Sequence, residues 1–185
     1  MARKDIKTVY DLAGKKVSFG QASRGTFLTS TVVFNRLGID VHVVEYSNEE
    51  GLYRLKRGEI DAMVRVVGAP TRLLQDVSQA DGVHIVPLPV VEGAYFPATL
   101  THEQYPGLIP QGKTVQTAAV GALMAAYNWP KDHPRRERVQ SLVDRLRDRI
   151  DELRNEPHHR KWRQVRLERE LPGWRRWEPI PANRF

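Results

Sequence analysis

The stretch Val17-Ser18-Phe19-Gly20-Gln21-Ala22-Ser23-Arg24-Gly25-Thr26-Phe27-Leu28 decides the reading of this chain. A short apolar strand, Lys15 to Gly20, runs into a turn of small residues. That turn opens a helix from Thr26 to Leu37, which Gly38 stops. A helix start of this kind offers unbonded backbone N–H groups, hydroxyl donors and the positive end of a dipole. It suits an anion such as a carboxylate. Ser23 or Thr26 could equally do no more than cap the helix.

The pattern repeats outward from this unit. Val41 to Tyr46 reads as a second strand. Ser47-Asn48-Glu49-Glu50 reads as a capping box opening a helix, with Gly58 as its stop. Ile60 to Val67 reads as a third strand, broken by Gly68-Ala69-Pro70. A helix over Thr71 to Ser78 and a strand over His84 to Leu88 follow. Strands alternating with helices over short connections predict an α/β fold, a mainly parallel sheet flanked by helices. Ligands on such sheets sit at the carboxyl ends of strands, so Gly20–Thr26 and Gly68–Pro70 are expected on one edge.

The remainder is less regular. Residues 1–13 read as a lead-in. Residues 89–114, rich in Pro and Gly, read as irregular structure. Val115 to Ala126 is apolar and small, and its first half is expected as a strand. A long helix is expected at about 134–154, with Val139, Leu142, Val143, Leu146, Ile150 and Leu153 on one stripe. The tail, with Trp162, Leu171, Pro172, Trp174 and Trp177, is too apolar for a free basic arm and is expected to pack on something.

The 185 residues are 41% hydrophobic and 28% charged, as in a folded domain with an appendage. No run approaches the roughly 18–20 apolar residues of a membrane span. The first six residues are partly basic with no apolar segment behind them, and do not read as a secretory signal. Cysteine is absent, which removes disulfides, thiol catalysis and thiolate metal sites. The net charge of +7 lies mostly in residues 131–185, either a solvated arginine-rich surface or a face for nucleic acid.

Asp11-Leu12-Ala13-Gly14-Lys15-Lys16-Val17 and Gly20-Gln21-Ala22-Ser23-Arg24-Gly25-Thr26 form an ordered series with Leu55-Lys56-Arg57-Gly58-Glu59-Ile60-Asp61-Ala62 and Gly68-Ala69-Pro70. Thr117-Ala118-Ala119-Val120 and the tail from Trp162 to Trp174 continue it. In this order the motifs resemble the solute-binding proteins of TAXI-type TRAP transporters, periplasmic receptors of the type II binding-protein fold. The resemblance implies a second, ligand-binding lobe at 13–120. Residues 121–185 would then be C-terminal first-lobe elements, a long amphipathic helix and a Trp-rich tail. Members of that family are longer, so the N-terminal part of the first lobe is expected to be missing. A homodimer through the surface left by that lobe is expected with it. The family turn usually reads Gly-Ser-Gly-Thr, and here Arg24 stands inside it.

On this reading Gly20, Ser23, Arg24, Gly25 and Thr26 receive a ligand carboxylate. Val67, Gly68, Ala69 and Pro70 line the cleft at the next strand end, and Tyr95 walls it. Each has a plainer alternative. Arg24 could face solvent, Gly68–Pro70 could be an ordinary turn, and Tyr95 could pack on the core. Asp61 reads as ordering the turn at Gly58. His158-His159 lacks a third ligand at useful spacing, so no metal or cofactor is expected. No nucleophile elbow, zinc-protease motif or phosphate loop is present in the sequence.

The expected function is therefore a solute-binding receptor subunit, not an enzyme. It would take a small carboxylate or amino acid such as glutamate and hand it to the membrane subunits of a TRAP-type transporter, a periplasmic role by resemblance. A nucleic-acid-associated protein using the arginine-rich half and a small transferase on the same fold are the alternatives.

Overall fold

The computed structural model describes residues 1–90, 93, 95–170 and 173–177. They form two compact units, Met1–Ala122 and Leu123–Phe185.

In the first unit, strands β1 (Ala2–Arg3), β2 (Lys16–Ser18), β3 (His42–Val44), β4 (Ala62–Met63) and β5 (Val83–His84) build a sheet in the order β3-β2-β4-β1-β5. β2 runs parallel to β3 and β4, and β1 is antiparallel to both β4 and β5. Helix α1 (Gly25–Leu37) leads from β2 to β3. Helix α2 (Asn48–Lys56) returns to β4 on the other side of β2. Right-handed crossovers in opposite directions set their helices on opposite faces. Two buried clusters match this. Val33 and Phe34 of α1 pack with Val17, Phe19 and Ala62. Leu52 and Leu55 of α2 pack with Ile60, Met63, Leu74 and Ile109. Ala62 and Met63 fall in different clusters, as successive strand residues must.

The expected helices start and stop on identifiable groups. The backbone N–H of Gly38, at φ +66°, closes α1 on Asn35. Ser47 Oγ accepts the Glu50 N–H at 3.1 Å and caps α2. The reciprocal half of the capping box is absent, because the Glu50 carboxylate takes the Arg54 Nε–H at 2.6 Å.

Several expectations need correction. The strand expected over Ile60–Val67 is a two-residue ladder. Its partner β2 turns away at Gly20, so only the Val64 N–H still reaches it, at Ser18 O. The strand expected at His84–Leu88 is Val83–His84, since its partner β1 is as short; Leu88 instead donates to Gln116 O. The helix expected over Thr71–Ser78 is a single turn, α3 (Arg72–Gln75). Residues 1–13 are more than a lead-in: they supply β1 and the buried Ile6, Val9 and Leu12. Within 89–114, β6 (Phe96–Thr101) pairs antiparallel with β7 (Thr114–Ala119), the strand expected in Val115–Ala126. Pro97 is tolerated in this ladder because both strands of a two-stranded sheet are edges.

In the second unit, α4 (Pro134–Asp148) and α5 (Ile150–Leu153) replace the single helix expected at 134–154, with the break at Arg149. His133 Nδ1 caps α4 by accepting the Arg135 N–H. The apolar stripe is only partly covered: Val139, Val143, Leu146 and Ile150 are half-buried and Leu142 is 52% exposed. The tail does return to the helix. Trp177 Nε1 donates to Gln140 at 2.8 Å, and the Arg136 guanidinium lies 4.6 Å over the Trp177 ring. Leu171 and Pro172 lie outside the described residues.

Candidate functional site

The strand order reverses at β2. α1 leaves toward β3 on one side, while the chain leaving β4 stands on the other. Ligand crevices of open α/β sheets form outside the carboxyl ends of strands at such a point. The sequence on each side of this point is Gly20–Thr26 and Val64–Pro70.

The first side is a tight turn. Gly20 adopts φ +78°, which only glycine takes without strain, and Arg24 N–H donates to Gln21 O at 2.9 Å. Arg24 is the N-cap residue of α1, in extended conformation, and no side chain caps the helix. Of the first helical amides, Phe27 N–H donates to Arg24 O. Among the described residues those of Gly25 and Thr26 have no acceptor, and neither has the Ser23 hydroxyl. The turn is therefore more than a self-capped helix start. Ser23, Arg24 and Gly25 are exposed, and with Phe27 and Leu28 they line an open depression of about 440 Å³.

A carboxylate already touches this turn. Glu45, just past β3, accepts the Ala22 N–H at 2.9 Å. It pins the turn from outside and leaves the following amides free. Sequence reasoning missed Glu45, because its partner is a backbone group 23 positions away.

The second side approaches the first through one bond: Val66 N–H donates to Thr26 Oγ1 at 3.4 Å. Val67 is exposed, Gly68, Ala69 and Pro70 are half-buried, and the Ala69–Pro70 bond is cis. These four lie outside the open depression. Thr71, just beyond them, donates its N–H to the hydroxyl of Tyr105 at 3.1 Å. Tyr105 is 2% exposed, and its burial raises the phenol above its ordinary value. Tyr95 is half-buried and packs against the cluster under α1.

The other candidates have structural partners. Asp61 accepts the Lys16 N–H at 2.9 Å and pairs with Arg3 at 3.6 Å, which ties β2 to β4 rather than ordering only the turn at Gly58. His159 Nδ1 accepts the Lys161 N–H and caps a short 3-10 turn. Among the described residues no three His, Asp or Glu side chains gather as a metal site would require. No helix among them is long and apolar enough to cross a membrane.

An open depression thus lies at the start of α1, beside helix amides that are unpaired among the described residues. Residues 1–172 match the model of the NMT1-like family. The chain therefore belongs to the NMT1-like family, a periplasmic-binding type whose members are solute-binding proteins rather than enzymes.

Proposed function

We propose that this chain is the solute-binding receptor subunit of a TRAP-type transporter of the TAXI kind, and that its solute is a small carboxylate or amino acid such as glutamate. The observation that carries the reading is the start of α1, where Gly25 and Thr26 present backbone N–H groups that no group among the described residues accepts. A carboxylate there gains two charge-assisted bonds and the favourable end of the helix dipole, the latter worth about 0.3–1 kcal/mol at an exposed site. The Ser23 hydroxyl adds a donor from the turn, Gly20 lets the turn fold, and Arg24 supplies positive charge at its rim. Val67, Gly68, Ala69 and Pro70 form the facing wall at the β4 exit, and Tyr95 borders it. The solute would pass to membrane subunits, with the receptor working outside the cytoplasmic membrane.

Gly25 gives the sharpest test. A Cβ added there meets nothing within 4 Å, so Gly25→Ala leaves the fold alone while crowding the approach to its amide. Thermal melts of the full chain with glutamate, malate and benzoate should show stabilisation by at least one of them, reduced in Gly25→Ala. Stabilisation by none of a broad panel of small carboxylates and amino acids would refute the reading. So would stabilisation of equal size in the variant.

A further inference from the structure

Helix α4 carries its charges on separate faces. Arg135, Arg138, Leu142 and Arg145 follow one another at spacings of three and four, so they share one face. All four are exposed, Leu142 to 52%. Glu137, Asp144 and Asp148 share another exposed face, and Val139, Val143 and Leu146 make the half-buried one. This arrangement does little for the helix itself. From Pro134 to Arg149 the only charged pairs four apart are alike, Asp144–Asp148 and Arg145–Arg149, and like charges at that spacing destabilise. Arg135, Arg136 and Arg138 stand at the N-terminal end, where the helix dipole disfavours cations. The ion pairs of this unit, Arg149–Glu152 and Arg154–Asp151, lie beyond the ridge, and among the described residues Arg138 and Arg145 have no hydrogen bond or ion pair.

Aromatic side chains stand at one end of the ridge. The Arg135 guanidinium lies 4.8 Å from the Trp129 ring centre, and Tyr127 meets the same ring edge-on at 5.7 Å. Tyr127 is 81% exposed. The ridge therefore offers three arginines, a leucine and a neighbouring tyrosine, and no carboxylate shares its helix positions. Anions suit such a ridge, and its apolar members decide which anion. A nucleic-acid backbone would take the arginines and leave Leu142 in water. The Trp129 ring, on which a base would stack, is already covered by His133 at 4.4 Å. An anionic bilayer takes every member: the arginines meet headgroup phosphates, the tyrosine sits at the interface and the leucine enters the acyl boundary.

We propose that the Arg135–Arg138–Leu142–Arg145 ridge docks the second unit on a membrane surface that carries anionic phospholipids. The contact is peripheral, since no helix among the described residues is long and apolar enough to cross a membrane. Three arginines and one leucine make it weak and reversible, and salt screens it. It does not depend on which solute the protein takes.

The test is co-sedimentation of the full chain with vesicles of phosphatidylcholine mixed with phosphatidylglycerol. Vesicles of phosphatidylcholine alone and a single-stranded oligonucleotide are the other probes. The chain should bind the mixed vesicles at low salt, leave them at high salt and ignore phosphatidylcholine alone. An arginine near an anionic bilayer strengthens binding about fivefold, so Arg138→Gln with Arg145→Gln should weaken it at least about tenfold. Arg138→Lys with Arg145→Lys keeps the charge and should keep the binding, and Leu142→Ser should weaken it to a smaller degree. Arg147→Gln with Arg160→Gln removes the same charge from exposed positions off the ridge and should change binding by no more than about twofold. Equal losses in the two glutamine pairs would reduce the effect to net charge and overturn the proposal. So would binding to no vesicle, equal binding to phosphatidylcholine alone, or undiminished binding by Arg138→Gln with Arg145→Gln. Loss of binding in the lysine pair as deep as in the glutamine pair would overturn it too. Oligonucleotide binding that the ridge variant loses, with no vesicle binding, would assign the face to nucleic acid and refute the membrane contact.

Discussion

Gly107 is the position where adding a single methyl group should cost most. A Cβ built there would sit far inside van der Waals contact of the Val77 carbonyl oxygen, 3.0 Å from its carbon and 3.2 Å from Ser78 Cα. All three are backbone atoms, so no rotamer change relieves the overlap. One of the two segments must move. The Gly107 segment carries Tyr105, Leu108 and Ile109, which are 2%, 6% and 0% exposed. A shift there opens the cluster under α2. Overpacking of this kind costs typically 1–3 kcal/mol, and with backbone on both sides the upper end applies, about 3 kcal/mol. Removing a glycine also restricts the unfolded chain, which returns roughly 0.4–1 kcal/mol. Gly107→Ala is therefore expected to lose about 2 kcal/mol or more, a fall in melting temperature on the order of 10 °C. Urea unfolding and thermal melts followed by circular dichroism would measure it. Gly51→Ala is the matched control. Gly51 lies inside α2, and its added Cβ would meet Ser18 Oγ at 3.5 Å and Met63 Cε at 3.6 Å, ordinary contacts. Helix propensity then predicts a gain approaching ~1 kcal/mol. If Gly107→Ala stays within about 0.5 kcal/mol of wild type, the size of an ordinary surface substitution, the close approach of these two segments is not real. Because Tyr105 holds the Thr71 N–H, the same variant should also weaken carboxylate stabilisation of the crevice.

Ser47→Ala should cost about 1 kcal/mol, the usual value of an N-cap, since Ser47 alone accepts the Glu50 N–H; equal urea midpoints would refute it. The Asp81 carboxyl is held below its ordinary value, first by the Ser78 backbone N–H and then by Lys56. Its folded value is depressed, so its contribution is full above the ordinary carboxylate range and is lost as pH falls through the folded value. Asp81→Asn should be less stable at neutral pH and show a shallower acid loss; parallel pH profiles would contradict this. A fragment of residues 1–122 should melt cooperatively by itself, because every buried residue among those described lies between Ala2 and Ile109. Non-cooperative melting of that fragment would overturn the division into two units.

The elements around the opening stretch were legible because local signals specify them. Gly38 needs a left-handed conformation, Ser47 offers a cap, and the valines of 41–44 fit a strand. What escaped depends on partners distant in the chain. Nothing in Ala2-Arg3 announces a strand; it is one because Ala62 and His84 stand on either side. Ile60–Val67 has the composition of a long strand, but its neighbour turns away at Gly20 and strand length is a property of the pair. Phe96–Thr101 was hidden by Pro97, which argues against a central strand and not against an edge. The turn at 20–26 and its unbonded amides were foreseen from small residues before a helix. Glu45 and Tyr105 were not, since each acts on a backbone N–H tens of residues away.

The strand at residues 2–3 has a consequence for how the molecule assembles. Among the described residues it is the only link between β4 and β5 in the ladder, so the sheet closes only when residues 2–3 have met positions 62 and 83–84. Contacts that span most of a unit are slow to form, because the intervening loop must be closed before they return anything. The chain is expected to use this segment late. Until then β5 has no ladder partner, and the exposed edge of β4 is open to any extended peptide that arrives sooner.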